Sequence, residues 1–164
     1  KPIGNGHPIG AVVTTQKIAK AFNNGIEFFS TFGGSDLSCL IANEVLEIVD
    51  DEMLGENAKQ MGLFLEKGLV KLRRGSPLIG DVRGMGLFWG VEIIRNFKTK
   101  EPGTSEADYI CNRLQEKRIL VGLEGPCENI LKIRPPLSLI HDDVKIFLRA
   151  FADVLEESYL RVGS

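Results

Sequence analysis

Histidine and cysteine are scarce in this chain. His7 and His141 are the only histidines, and Cys39, Cys111 and Cys127 are odd in number and irregularly spaced. That excludes a disulfide framework, argues against a short-spaced zinc site, and leaves few Ser/His or Cys/His nucleophile pairs. Reduced thiols fit a cytosolic or similar compartment. Charge of one sign is lacking too. The formal net charge is −2, which predicts no particular affinity for nucleic acid or an anionic membrane. No apolar run approaches the roughly 20 residues that span a bilayer, and no basic-then-apolar signal segment opens the sequence. What is present is ordinary: 164 residues, 43% apolar and 26% charged, enough for about one soluble globular domain.

The first ten residues, KPIGNGHPIG, hold three glycines and two prolines. A regular helix or long strand is ruled out there. Gly4-Asn5-Gly6 tolerates positive φ, so a tight reversal is predicted. Two readings of Lys1 stand side by side. A lysine at the mouth of a rigid turn suits Schiff-base chemistry, which needs a desolvated amine of lowered pKa. The alternative is a solvated chain end beside a plain surface loop.

Further along, Ala11-Val12-Val13 predicts a short strand and Gln16 to Phe22 a short helix, closed by Gly25. Phe28 to Gly34 runs aromatic, hydroxylated, then glycine-rich, and ends at a helix start. Ser35 is a good N-cap and Asp36 suits the helix dipole. Hydroxyls and amides gathered there suit a phosphate, or form a plain cap and linker. A helix from about Asp36 to Val49 is predicted to bury Leu37, Leu40, Ile41, Val45 and Ile48; a second spans about Glu52 to Arg74. Leu78 to Ile94 reads as two strands around a Gly84-x-Gly86 turn, with Arg83 bracing the bend. Residues 96–103 read as an exposed loop. A helix from about Ser105 to Arg118 follows, with a Ser105/Asp108 capping box and Cys111 as a small core residue. Ile119-Leu120-Val121 is predicted as a strand. Ile130 to Arg134 is a half-buried strand with Lys132 and Arg134 on one face, and Pro135-Pro136 is expected to keep it from an interior position. Those two cations suit an anionic substrate, or a solvated edge. A helix starts near Asp142. The order α, α, β, β, α, β, β, α predicts an α+β architecture, with helices on one face of a small, mostly antiparallel sheet.

Four stretches together resemble the class III (fold type I) pyridoxal-phosphate aminotransferases: KPIGNGHP, Thr31-Phe32-Gly33-Gly34, Asp81-Val82-Arg83-Gly84-Met85-Gly86-Leu87, and Ile133-Arg134-Pro135-Pro136-Leu137. Their order and spacing agree with that family over nearly the whole chain. The resemblance implies that Lys1 forms the Schiff base with pyridoxal 5'-phosphate and then moves protons at the substrate Cα. It implies that Thr31 binds the cofactor phosphate across a homodimer interface. Residues 1–34 would end the large cofactor-binding domain, and 35–164 would be the C-terminal small domain. The substrate would be a small primary amine, with Lys132 and Arg134 at its anionic end. The enzyme would be cytoplasmic, or mitochondrial if a targeting segment precedes Lys1.

Two departures bear on this. The family's large domain would precede Lys1, so the chain reads as a fragment that neither holds the cofactor firmly nor turns over alone. Lys132 stands where many members place an arginine for the substrate carboxylate, and lysine lacks the bidentate fork. That substitution, with the wording KPIGNGHP, EFFSTFGGS and ILKIRPPL, is closer to the branch that eliminates phosphate from ethanolamine phosphate or phosphohydroxylysine. Transamination and phosphate elimination both stay open, beside a non-enzymatic α+β binding module and a degenerate paralogue that binds cofactor without turnover.

Overall fold

The computed structural model describes residues 3–161. The chain divides between Met53 and Leu54 into two compact units. Lys1 lies outside the described residues.

The first unit is built on turns and two helices. His7 N–H donates to Gly4 O at 2.9 Å, with Asn5 and Gly6 both at positive φ. This is the predicted reversal. A Cβ on Gly4 would sit 2.2 Å from His7 O, so only glycine closes the turn. His7 Nε2 lies 2.9 Å from Ser38 Oγ, tying the turn to the second helix. Helix α1 spans Gln16–Phe22 and ends before Gly25, whose φ is +85°. Helix α2 spans Asp36–Asp51. Its N-cap is Ser35 as predicted, but the serine side chain makes no capping bond.

Two expectations fail in this unit. Ala11-Val12-Val13 forms no strand, and Val12 and Val13 are 92% and 96% exposed. β-Branched residues favour a ladder only where a partner strand is supplied. The apolar stripe of α2 is present but not buried: Leu37 and Leu40 are exposed, and no residue of the helix is fully buried. Helical period shows that a face exists, not what covers it.

The second unit is two layers. Its elements are α3 (Leu54–Gly75), β1 (Ile79–Met85), β2 (Phe88–Asn96), β3 (Glu101–Pro102), α4 (Thr104–Glu116), β4 (Gly122–Glu124), β5 (Ile130–Ile133), α5 (His141–Leu155) and α6 (Ser158–Arg161). Strand order is β1-β2-β5-β4, with β3 on β2, and every pairing is antiparallel. Trp89, Val91 and Ile93 on β2, with Leu131 and Ile133 on β5, pack into one core with Leu65, Leu69, Ile110, Leu114, Val144 and Phe151 of the helices. The α+β expectation holds, with helices on one face of the sheet. Residues of opposite parity, among them Asp81, Arg83, Gly90, Glu92 and Lys132, form the other face. His141 stacks on Phe64 with ring centroids 3.9 Å apart, a packing role at the start of α5.

Several boundaries move. The strand expected at Ile119-Leu120-Val121 lies three residues later, at Gly122–Glu124. Pairing with β5 fixes it there, Gly122 opposite Lys132, over the weaker local preference of the Ile-Leu-Val triplet. The Ser105/Asp108 capping box does not form; Gly103 is the N-cap, and Ser105 Oγ accepts from Arg95 instead. The 96–103 loop contains the short strand β3. Strand β5 is interior, between β2 and β4, despite the two prolines. They fall at 135 and 136, past the last paired residue, and remove no ladder donor.

Candidate functional site

Thr31 belongs to the first unit and Lys132 and Arg134 to the second. Thr31 is exposed and makes no hydrogen bond among the described residues. Beside it, Gly33 N–H donates to Ser30 Oγ at 3.0 Å, and Gly34 takes φ +73° just before α2. The segment therefore presents an unengaged hydroxyl in a small-residue turn. Phe29 and Phe32 flanking it are strongly exposed.

In the second unit the sheet brings Lys132 and Arg134 to one cavity of about 580 Å³, with Arg83, Phe88, Trp89 and Glu124 among its walls. The ladder explains the composition. Arg83 stands opposite Gly90, Gly90 opposite Lys132, and Lys132 opposite Gly122. Two cations thus alternate with two glycines across four strands, and the missing side chains leave the space open. Trp89 closes one wall and is fixed by its Nε1–H, which donates to Gly86 O at 2.7 Å.

Charge in the cavity is largely balanced from within. Arg83 Nη1 donates to Asp81 Oδ2 and Glu92 Oε2, each at 2.9 Å. The Arg83 bond is the main cause that holds the Asp81 carboxyl below its ordinary pKa, and the two carboxylates raise that of Arg83. By the sequence alone, Arg83 at the bend could pair with a carboxylate or merely brace the turn; it pairs with two, and through them ties β1 to β2. Lys132 Nζ hydrogen-bonds Glu124 Oε1. That bond first, then the Lys132 charge and finally that of Arg134, lowers the pKa of Glu124. Arg134 is exposed and forms no direct ion pair among the described residues.

Glu124 was missed in the sequence. It lies between the strands expected at 119–121 and 130–134, and nothing local marks it. The signal was non-local: a β4–β5 hairpin pairs Glu124 with Ile130 and sets it diagonal to Lys132.

Residues 1–155 match the family model described as aminotransferase class-III. An alanine–glyoxylate aminotransferase 2-like protein of Drosophila melanogaster is 40% identical over 157 residues, 94% of this chain and 32% of that protein. Ethanolamine-phosphate phospho-lyase homolog 1 of Caenorhabditis elegans is 38% identical over 156 residues, 94% of this chain and 33% of that protein. Among solved structures, a phospholyase from Arthrobacter in complex with phosphoethanolamine matches with a TM-score of 0.87 and 36% identity, covering 93% of this chain and 36% of that one. The chain spans about a third of the length of these curated relatives. By its match over residues 1–155, the chain belongs to the class III aminotransferase family.

Proposed function

We propose that this chain serves as the carboxy-terminal part of a pyridoxal-phosphate enzyme that acts on a small primary amine with an anionic end. The observation that carries the reading is the family match over residues 1–155, a span that includes Lys1, Thr31, Lys132 and Arg134. In this reading residues 1–34 close the large cofactor-binding domain and 35–164 form the small domain. The full protein is a cytoplasmic homodimer, and the 164 residues alone hold the cofactor weakly.

The donor set suits the cofactor's phosphate. Thr31 offers a hydroxyl unengaged among the described residues, beside the Gly33-Gly34 pair that leads into α2. When bound, pyridoxal phosphate supplies an electron sink for charge developing at the substrate Cα. The Lys1 amine would hold the cofactor and would carry a proton to and from that carbon. Thr31 holds the phosphate end, in trans across the dimer. Arg134, with Lys132 beside it, faces the substrate's anionic group. Trp89 and Phe88 wall the cavity against water.

A second reading, elimination of phosphate from a phospho-amine, is favoured by Lys132. A point charge in place of a bidentate fork suits a phosphate better than an oriented carboxylate. Phosphate release by the full-length, cofactor-loaded protein given ethanolamine phosphate decides between them. Release that Lys1→Ala abolishes makes it a lyase. A shift of the cofactor spectrum on adding an amino acid, without release, makes it a transaminase. Borohydride reduction that adds no cofactor mass at Lys1 refutes both.

A further inference from the structure

Three cations line the cavity, and two are already neutralised. Arg83 is bonded to Asp81 and Glu92. Lys132 is bonded to Glu124. Gly122 stands opposite Lys132 in the ladder, and a Cβ there would make ordinary contact with the lysine stem, 3.5 Å from Lys132 Cε, so the stem runs over β4 towards the carboxylate. Arg134 alone of the three has no direct ion pair among the described residues.

We propose that Glu124 is a specificity-determining residue: by holding Lys132 as an internal counter-ion, it leaves Arg134 as the cation open to substrate and biases the cavity towards singly charged anions. The inference rests on the reading that this cavity takes the substrate's anionic end, and it weighs against the second reading, whose phospho-amine is a dianion at that end. A monoanion is satisfied by Arg134. A dianion needs a second cation, and to gain Lys132 it must displace Glu124 and lie beside a freed carboxylate of like charge. Glu124 therefore acts against every anion, and twice as strongly against a dianion.

The test is anion titration by calorimetry on the full-length, cofactor-loaded protein at about pH 8, with acetate and inorganic phosphate as probes. Removing one partly screened charge a few ångströms away changes affinity for a monoanion by about fivefold, and for a dianion by about the square of that, roughly 25-fold. Glu124→Gln is expected to tighten acetate about fivefold and phosphate about 25-fold. Adding Lys132→Gln to that variant should return both affinities close to wild type, because the pair is then removed as a unit. Arg134→Gln should abolish the binding of both probes where Glu124 is intact, and Glu124→Gln should restore part of it through the freed Lys132. No gain for phosphate with Glu124→Gln, or a gain that survives Lys132→Gln, overturns the proposal. Glu124 is 54% exposed, so Glu124→Ala provides an independent replacement and is expected to give the same gains. The titration needs no turnover. Gains as expected with no cofactor attached at Lys1 would refute the functional reading and leave the charge balance standing.

Discussion

Gly62→Ala should destabilise the second unit, although alanine is the better helix former. Gly62 lies mid-way along α3 and is buried. Helix propensity alone favours alanine there by about 1 kcal/mol. Against this, a Cβ on Gly62 would lie 2.3 Å from Gly86 O, 2.7 Å from Gly86 C and 2.8 Å from Gly86 Cα. All three atoms are backbone of the β1–β2 turn, and that turn cannot swing aside. Gly86 has φ +55°, and its carbonyl is held by Trp89. The helix and the hairpin must therefore part, and overpacking of this kind costs typically about 1–3 kcal/mol. Because the clash is with fixed backbone, the cost falls at the upper end of that range, and the net expectation is a loss of about 2 kcal/mol. Two further glycines of the same helix calibrate it. A Cβ on Gly68 meets the tip of Leu148 at 2.2 Å, a flexible end on α5 that can rotate, so Gly68→Ala should lose less. Gly55 has nothing within 4 Å of its Cβ, and Gly55→Ala should gain up to about 1 kcal/mol. Urea unfolding followed by fluorescence reads all three, since Trp89 is the only tryptophan in this chain and is bonded to the turn in question. A Gly62→Ala protein as stable as wild type would refute the argument, because α3 would then not rest on the turn.

Two other outcomes follow from the ion pairs. Asp81 and Glu92 stand directly opposite each other in the β1–β2 ladder, with Arg83 bonded to both. Arg83→Gln leaves like charges face to face, relieved among the described residues by Arg73 at 3.5 Å from Asp81; the loss should be about 1 kcal/mol at this partly exposed site. It should shrink in about 1 M salt, and a thermal-unfolding loss indifferent to salt would point to packing of the arginine stem instead. Bonds from Arg113 first, and then from Tyr109, hold the Glu157 carboxyl below its ordinary pKa. A carboxyl lowered on folding adds stability that is complete above its unfolded pKa, about 4.3, and is lost as pH falls through the lower folded value. Wild type should therefore lose stability more steeply than Glu157→Gln on acidification from about pH 5 to pH 3; equal slopes in unfolding curves would deny Glu157 this role.

Long apolar stripes were the legible part of the fold. In α3 and α5 the period finds both the helix and the face it buries, because Leu65, Leu69, Val144 and Phe151 meet the sheet within the same unit. In α2 the same kind of stripe marks a helix whose apolar face is left exposed. Short strands were harder. Ile119-Leu120-Val121 has the better strand composition, yet Gly122–Glu124 forms β4, because a three-residue strand is set by its partner rather than by its own residues. The site divides the same way. Lys132 and Arg134 declare themselves by alternation on β5 and by the prolines after it. Glu124 carries no local mark, and its importance comes from a hairpin whose two strands are joined by the five-residue loop 125–129.

The strand order also sets a timetable for synthesis. Trp89 on β2 pairs with Ile133 on β5, 44 residues further along the chain. At about 5–20 residues per second, the ribosome takes roughly 2–9 seconds to supply that partner. For that interval β2 has only β1 along one side and the two-residue β3 near its far end, and Val91 and Ile93 lack α5 above them. The nascent chain thus carries an open, hydrophobic strand edge until β5 is made. Slow codons or a stall between β3 and β5 would lengthen that exposure, and chaperone demand within this stretch should peak there.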